Sequence, residues 1–274
     1  MGGGGGRVKE LLDELGVRPE KAKGQNFLMD LDVLNRQLRL ARLTPGDIVL
    51  EVGAGLGVLT WELSIRARQV VSYESDPRLA EYLRKDLPEN VDLREEDALT
   101  AEWPPFDKMV ANVPYSISSP LLFKLLDSDY AVAVLLLQKE FADRLTAEPR
   151  TKAYGRLTVA TARLADIELL EVVPPTAFHP QPRVESAIVR IIPQRSFPVM
   201  DEHLFNTLLR VVFSQRRKML HNSLESARGQ LAPSVDADTW KEEIRGLECA
   251  EARPEELSPA ELGLLADAIY EFRS

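Results

Sequence analysis

Apolar and polar positions along the chain predict an alternation of short strands and helices. Seven runs rich in aliphatic residues carry the strand pattern, and helical periodicity fills most of the intervals between them. In chain order the strand predictions are 47–52, 69–74, 91–95, 107–112, 131–137, 167–173 and 184–192. Prolines crowd residues 174–183, where no long helix fits, so we predict that the last two strands pair antiparallel. The pattern indicates a doubly wound α/β fold, with a mostly parallel seven-stranded sheet that has one antiparallel strand.

The strand pattern ends after Pro193 and Pro198, and a purely helical pattern follows. Helices are predicted at 201–213, 215–228, 239–245 and 258–272. Because the period changes so cleanly, we predict a domain boundary near residue 197 rather than one continuous domain. The predicted parts are an N-terminal tail with a short helix (1–20), an α/β domain (21–197) and a small helical domain (198–274).

Four residues at the end of one predicted strand, Asn112, Val113, Pro114 and Tyr115, suit the methylation of an exocyclic amino group. The N6 nitrogen of adenine is a poor nucleophile because its lone pair is delocalised into the ring. The Asn112 amide oxygen and the Val113 carbonyl could each accept one N6 hydrogen and so localise that lone pair. Pro114 fixes the direction of the Val113 carbonyl, and Tyr115 offers a ring on which a purine stacks. Alone, such a tetrapeptide is more often a strand followed by a turn.

A glycine-rich turn follows the first predicted strand, where Gly53, Gly55 and Gly57 lead into a helical pattern. Glycines let a ligand approach the backbone, and the helix N-terminus offers free N–H groups to a carboxylate or phosphate. The Gly-x-Gly-x-Gly spacing differs from that of dinucleotide sites, which argues against NAD. Glu74 and Asp97 follow the next two predicted strands, where their carboxylates could accept from ribose hydroxyls and from an adenine amino group. Three such features at consecutive strand ends are hard to obtain by chance.

Further ordered motifs extend over most of the chain. They are residues 24–28, 117–120, 138–140, 152–157, 178–186 and 213–218. Together with the tetrapeptide and the glycine turn, they make the sequence similar to the small-subunit ribosomal RNA adenine N6-dimethyltransferases. Ser118, Ser119 and Pro120 resemble archaeal and eukaryotic members more than bacterial ones. The family usually has Leu, Ile or Pro where this chain has Val113, which changes little because only its carbonyl is used.

This resemblance implies the Rossmann-like S-adenosylmethionine-dependent methyltransferase fold, plus a small C-terminal helical domain. S-adenosylmethionine is then the methyl donor, and the residues implied to contact it are Asn26, Leu28, Gly53, Gly55, Glu74, Asp97, Ala98 and Asn112. The catalytic set is Asn112 to Tyr115 together with Phe178, which projects from its proline-rich loop and stacks on the face of the adenine opposite Tyr115. We expect in-line transfer without a His or Cys nucleophile. The implied substrate is a pair of adjacent adenosines near the 3′ end of small-subunit rRNA, each methylated twice within an assembling small subunit.

The net charge of −9 does not by itself favour a nucleic-acid partner. The distribution of this charge weakens the objection to a nucleic-acid partner, because residues 235–274 carry 11 acidic and 4 basic side chains and leave the rest of the chain at −2. Basic residues cluster outside that segment at Lys21, Lys23, Arg144, Arg150, Lys152, Arg156, Arg216, Arg217 and Lys218. Each cluster alone is more often an ordinary solvated face. Beside an adenine-handling motif we predict RNA contacts by Lys152, Arg156, Arg216, Arg217 and Lys218, with Glu140 and Arg144 as further candidates.

Composition favours a soluble cytoplasmic enzyme of 274 residues, of which 45% are hydrophobic. No apolar stretch of the sequence is long enough to span a membrane, and the N-terminus lacks the core of a signal peptide. The single cysteine, Cys249, and three scattered histidines give no basis for a disulfide framework or a metal cluster. We therefore expect a cytoplasmic monomer with neither membrane attachment nor a bound metal.

Three alternatives stay open from the sequence. A related class methylates large-subunit rRNA and confers antibiotic resistance, but residues 152–156 and the sizeable C-terminal segment argue against it. A DNA adenine methyltransferase would use the same chemistry, although no added target-recognition domain is visible. The chain could also be a noncatalytic ribosome-assembly or transcription factor of the same fold, against which the intact Asn112, Pro114 and Tyr115 argue.

Overall fold

The chain forms two compact units. The computed structural model describes residues 4–18 and 25–273, with side chains from Val8 onward. The first unit contains the described residues up to 142 together with 167–193, and the second contains 143–166 and the residues from 194 onward. The division between residues 193 and 194 lies near the predicted boundary at 197, whereas residues 143–166, which were predicted as part of the α/β domain, fall in the second unit. Those residues join the helical unit because Tyr154 and Val159 are buried in its core.

Nine strands and twelve α-helices are present in the part of the chain that the structure describes. The strands are β1 Phe27–Leu28, β2 Ile48–Val52, β3 Gln69–Tyr73, β4 Val91–Arg94, β5 Lys108–Asn112, β6 Val132–Gln138, β7 Ala165–Val173, β8 Phe178–His179 and β9 Ser186–Pro193. The helices are α1 Gly4–Glu14, α2 Leu31–Ala41, α3 Val58–Ser64, α4 Pro77–Leu83, α5 Ser118–Leu126, α6 Lys139–Leu145, α7 Arg156–Ala162, α8 Glu202–Ser214, α9 Leu220–Ser226, α10 Arg228–Leu231, α11 Ala237–Gly246 and α12 Pro259–Arg273.

All seven predicted strands are present, and they form one sheet in the order β4-β3-β2-β5-β6-β9-β7. Strand β2 pairs in parallel with β3 and β5, and the pairs β3·β4 and β5·β6 are also parallel. Strand β9 inserts next to β6 in the antiparallel direction, with Ser186 opposite Gln138. The predicted mostly parallel sheet with one reversed strand is therefore confirmed. Because β2 to β5 run in parallel, their carboxyl ends meet at one edge.

A second, two-stranded sheet was not predicted. Strands β1 and β8 pair antiparallel, with Leu28 opposite Phe178 and Phe27 opposite His179. Each strand has only two residues, so neither gives a periodic signal in the sequence. This small sheet ties the segment before α2 to the proline-rich loop before β9.

The α/β core lies between α2 and the sheet. Asp30 caps α2, its carboxylate accepting from the backbone N–H groups of Asp32 and Val33 at 2.9 and 3.1 Å. The apolar face of α2 buries Leu34 and Leu38 together with sheet residues such as Val110. Burial of this apolar stripe fixes the sheet from which the strand-end residues project.

The second unit has a helical core of its own. Trp240 and Tyr154 are fully buried there, and each donates to a backbone carbonyl: Trp240 to Leu224 at 3.0 Å and Tyr154 to Leu257 at 2.7 Å. The predicted helix 215–228 is wrong at its start, since α9 begins only at Leu220. Residues 215–219 instead form a turn after α8, because Gln215 leaves helical geometry at φ −133° and ψ 44°. Among the helices described, none is long and apolar enough to cross a bilayer.

Glu51 is a fully buried carboxyl group that joins β2 to its neighbours. Its Oε2 accepts from Thr60 of α3 at 2.7 Å and from Ser72 of β3 at 2.6 Å. Its Oε1 has no hydrogen-bond partner among the described residues. Burial raises the pKa of Glu51 from 4.5 to about 7, and the negative charge of Glu74 adds to the effect of burial. In the folded protein the carboxyl is therefore mostly protonated below about pH 7.

The raised pKa of Glu51 predicts a pH-dependent stability. Because the folded protein binds this proton more tightly than the unfolded chain, the contribution is complete below pH 4.5 and is lost as the pH rises through about 7. The loss amounts to about 3 kcal/mol at most. Glu51→Gln keeps the acceptor oxygen without the charge. The melting temperature of the variant, relative to that of the native protein, should therefore increase as the pH rises from 6 to 8. Glu81→Gln, at an exposed position of α4, is the matched control. A pH-independent difference for Glu51→Gln would contradict this prediction.

Candidate active site

A pocket opens at the carboxyl ends of the parallel strands in the first unit. It is lined by residues that follow β2, β3, β4 and β5, and by the β1 and β8 segments. The residues assigned from the sequence to methyl donor and target base all line it: Asn26, Leu28, Gly53, Gly55, Glu74, Asp97, Ala98, Asn112, Val113, Pro114, Tyr115 and Phe178. The topology thus brings together residues that are up to 152 positions apart in the chain. Their individual roles stay predictions.

The glycine turn after β2 lies close to two other lining segments. Gly53 has φ +83° and Gly55 has φ +58°, a region that side chains disfavour. A Cβ on Gly53 would lie 3.2 Å from Cδ of Pro114, and one on Gly55 would lie 3.2 Å from the Phe27 ring. Glycine is therefore needed at both positions for conformation and for space. The bare backbone of the turn faces the pocket.

Glu74 is held in place at the end of β3 by two backbone N–H groups. Its Oε2 accepts from Gly55 at 2.8 Å, and its Oε1 accepts from Asp76 at 2.9 Å. The side chain is buried, which raises its pKa, and the nearby Asp76 charge acts in the same direction. Each carboxylate oxygen has a further lone pair for a ligand. Two adjacent hydroxyl groups would match such an acceptor pair.

The turn after β4 carries Asp97 and Ala98. The Asp97 carboxylate is exposed and accepts from the Leu99 N–H at 2.9 Å, while Ala98 is buried. The Asp97 carbonyl accepts from Thr100 and Ala101, which closes one helical turn. This turn therefore places the Asp97 carboxylate in the lining of the pocket.

Asn112 is the last residue of β5, and its Oδ1 is buried without a hydrogen-bond partner among the described residues. A buried, unpaired amide oxygen costs roughly 1–3 kcal/mol of folding free energy. The backbone beyond it is fixed, since the Val113 N–H donates to Leu136 at 3.2 Å and Pro114 accepts from Ile117 at 3.0 Å. Pro114 has φ −56° and ψ 126°. The Asn112 Oδ1 is therefore suited to accept a hydrogen bond from a ligand in the pocket.

The Tyr115 ring is anchored at its hydroxyl end. Its OH lies 2.5 Å from Oγ of Ser186, the fully buried first residue of β9. Burial also raises the pKa of the Tyr115 phenol. The sequence did not single out Ser186 for this contact, because a pairing across 71 residues depends on the insertion of β9 beside β6. The motif that ends at Ser186 was the only available signal.

Phe178 differs from its prediction in exposure. It is only 4% exposed and packs with Leu28 and Ile188, while it also lines the pocket. Its stacking on the target adenine stays a prediction. Pairing of β8 with β1 draws it inward, since Phe178 lies opposite Leu28. Asn26 is half-buried at the same edge of the pocket.

The five basic residues predicted to contact RNA lie in the second unit, whereas the further candidate Glu140 is exposed in the first unit. Lys152, Arg156, Arg217 and Lys218 are exposed, as are Arg144 and Arg150. Arg216 is different, because its guanidinium donates to the carbonyls of Lys152 and Tyr154 at 3.0 and 2.9 Å and pairs with Glu255 at 2.9 Å. These contacts hold Arg216 against the segment that carries Lys152 and Tyr154, and its predicted contact with RNA stays a prediction. Lys21 and Lys23 lie outside the described residues. In the described chain, no group of three or more His, Cys, Asp or Glu is placed to hold a metal ion.

Comparison with known proteins connects this geometry to a family. Residues 18–239 match the family model described as ribosomal RNA adenine dimethylase. Two archaeal relatives carry the name probable ribosomal RNA small subunit methyltransferase A. The Pyrococcus abyssi protein is 38% identical over 97% of this chain and 98% of its own length. The Methanosarcina acetivorans protein is 42% identical over 91% and 93%.

Two solved structures extend the comparison to the fold. A dimethyladenosine transferase from Plasmodium falciparum is 30% identical, with a TM-score of 0.77, over 90% of this chain and 97% of its own. The 23S rRNA methyltransferase ErmE is 32% identical, with a TM-score of 0.61, over 90% and 99%. The chain therefore belongs to the ribosomal RNA adenine dimethylase family and has the fold of an S-adenosylmethionine-dependent methyltransferase.

Proposed function

We propose that this protein transfers methyl groups to N6 of two adjacent adenosines near the 3′ end of small-subunit rRNA, within an assembling small subunit. The observation that carries this proposal is the buried Oδ1 of Asn112, which has no hydrogen-bond partner among the described residues, in a pocket that Tyr115 also lines. The family makes the chain an rRNA adenine dimethyltransferase, and the names of its archaeal relatives point to the small subunit.

Asn112 activates the amino group that is to be methylated. Its Oδ1 accepts one N6 hydrogen, and the Val113 carbonyl accepts the other, so the nitrogen lone pair is drawn out of conjugation with the ring. Before the base enters, the Asn112 Oδ1 has no hydrogen-bond partner among the described residues. A hydrogen bond to the base therefore removes the free-energy cost of this buried, unpaired oxygen. Tyr115 supplies a stacking surface for the purine, held by its hydroxyl contact to Ser186.

The pocket fits S-adenosylmethionine on the chemistry of its lining. The glycine turn offers backbone without side chains, Glu74 offers a carboxylate to two hydroxyl groups, and Asp97 offers one to an amino group. We assign Asn26 and Leu28 to the same ligand because they line the pocket beside the turn. When bound, S-adenosylmethionine supplies a methyl group on a positively charged sulfur, which makes that methyl an electrophile.

No protein nucleophile or dedicated general base is needed. Neither His nor Cys occurs among the described residues that line the pocket. Once alkylated, N6 carries a positive charge and becomes acidic, so it loses a proton to water or to the Asn112 oxygen. The chain's residues therefore act by positioning and by placing partial charges. Because each adenosine is methylated twice, the space beside Asn112 must also accept a monomethylated amino group.

The test of this function is transfer of labelled methyl groups to three purified acceptors. Unmodified small subunits should be labelled, with dimethyladenosine as the product, while large-subunit RNA and duplex DNA should not be. Labelling of only the latter two acceptors would overturn the proposal in favour of the large-subunit or DNA enzyme. No labelling of any acceptor, with the methyl donor bound, would point to a noncatalytic assembly factor.

Asn112→Ala is predicted to lower kcat by about 10²–10³-fold, the loss expected when one preorganised polar group is removed from a reacting centre. Binding of S-adenosylhomocysteine, measured by calorimetry, should change only a few fold, because the variant keeps the glycine turn and Glu74. Asn35→Ala, at an exposed position of α2, is the matched control and should retain native kcat. Near-native transfer by Asn112→Ala would remove that residue from its role.

Tyr115→Phe and Ser186→Ala are predicted to act through one hydrogen bond. Each should lower kcat by about tenfold, because each frees the Tyr115 ring to leave its orientation. The double variant should lose no more than the worse single variant. Ser223→Ala, another buried serine but one whose Oγ has no partner in the described chain, is the matched control. Multiplicative losses in the double variant would show that the two hydroxyls act independently.

Replacing Arg217 and Lys218 together with Ala should weaken RNA binding and lower the slope of log affinity against log salt by about 1–2. Both side chains are exposed, so the melting temperature should stay native. Arg216→Ala should instead lower the melting temperature, because two backbone carbonyls and the Glu255 carboxylate would lose their guanidinium partner. A salt slope that is unchanged in the Arg217 and Lys218 variant would remove this turn from the RNA interface.

A further inference from the structure

Lys124 lies on α5 of the first unit, and its ammonium group donates hydrogen bonds to backbone carbonyls of the same unit. Its Nζ donates to the carbonyls of Ala98 at 2.8 Å and Leu99 at 3.1 Å, and to that of Ala101. An ammonium has three hydrogens, so these three carbonyls use all of them. All three acceptors belong to the single turn that follows β4.

Trp103 completes the same arrangement. The Lys124 Nζ lies 4.6 Å from the centre of the Trp103 ring, within the range of a cation–π contact. The indole Nε1 in turn donates to the Ala98 carbonyl at 2.9 Å, so that carbonyl accepts two hydrogen bonds. Burial lowers the pKa of the Lys124 ammonium, and the nearby charge of Asp97 opposes part of that shift. The group behaves as a cation bound by backbone oxygens and tethered to a helix.

The turn that Lys124 holds also carries Asp97 and Ala98 into the pocket. Within it, the Asp97 carboxylate accepts from the Leu99 N–H, and the Asp97 backbone carbonyl accepts from the N–H groups of Thr100 and Ala101. The orientation of the carboxylate therefore depends on the path of residues 97–101. Without the ammonium, the carbonyls of Ala98, Leu99 and Ala101 would converge with no common donor, and their mutual repulsion would favour another path. A displacement of this turn would move a carboxylate that must meet its donor at hydrogen-bond distance.

We propose that Lys124 is a positioning residue that fixes the 97–101 turn, and thereby sets the selectivity of the pocket for the 6-amino group of the methyl donor's adenine. This inference rests on the proposed function, in which Asp97 accepts from that amino group. Helix α5 begins at Ser118, directly after the turn formed by Tyr115–Ile117. The same helix therefore supports the target-base side at its start and the donor side at Lys124.

The experiment compares two ligands that differ at position 6 of the purine. Binding of S-adenosylhomocysteine and of S-inosylhomocysteine, which has a carbonyl in place of the amino group, is measured by calorimetry with the native protein and with Lys124→Met. Native protein should prefer the adenine ligand by about tenfold or more, the value of one charge-assisted hydrogen bond. Lys124→Met should lose about tenfold affinity for the adenine ligand and much less for the inosine ligand, so the preference collapses.

Lys85→Met, at an exposed position after α4, is the matched control and should keep the native preference. Retained preference in Lys124→Met, or equal losses for both ligands, would overturn the proposal, since a general structural role predicts equal losses. Should Lys124→Met fail to fold by circular dichroism, Trp103→Phe removes one donor from the same Ala98 carbonyl and keeps a ring beneath the ammonium. That variant should lower the preference, and a native value would equally overturn the proposal. These measurements use no RNA, so their failure is distinct from a failure of methyl transfer to rRNA.

Discussion

The close approach of Gly53 to Pro114 is the constraint on which the site depends. Strands β2 and β5 are parallel neighbours, so the glycine turn and the tetrapeptide leave the sheet side by side. A Cβ on Gly53 would lie only 3.2–3.3 Å from the Pro114 ring, so a larger residue would separate the two segments. In the proposed reaction, one segment carries the methyl donor and the other activates the base. Methyl transfer depends on the separation of the reacting atoms to within about an ångström.

The polar groups around this contact differ in whether the fold already gives them hydrogen-bond partners. Glu74 is fixed by two backbone N–H groups, and Asp97 lies on a turn fixed by Lys124. Of the three strand-end side chains Glu74, Asp97 and Asn112, only Asn112 has a buried oxygen without a partner in the described chain. The fold thus orients its carboxylates in advance and leaves one acceptor open. Such preorganisation removes the cost of reorienting dipoles during the reaction.

The sequence predicted the sheet well because each strand carries a continuous apolar run, and strand ends are marked by Gly53, Glu74 and Asn112. It also predicted which residues line the pocket, since those residues follow strands that run in parallel. The sequence did not predict contacts between side chains that are far apart along the chain. Ser186 meets Tyr115 only because β9 inserts beside β6, and Lys124 reads in the sequence as an ordinary residue of a helix. The contacts of Arg216 with Lys152 and Tyr154 were likewise not predicted, because a basic run does not reveal which of its side chains bonds to the backbone.

The proposed reaction depends on the unpaired Oδ1 of Asn112, and the side-chain amide of this residue can be observed directly by NMR. In protein labelled with ¹⁵N at asparagine, the Asn112 resonance is identified by its absence from Asn112→Ala. With S-adenosylhomocysteine present, a short single-stranded RNA containing two adjacent adenosines should shift that resonance, because the amide oxygen gains a hydrogen bond. The same RNA with inosine in place of both adenosines should leave it unmoved. An unmoved resonance with bound adenosine RNA would contradict the account.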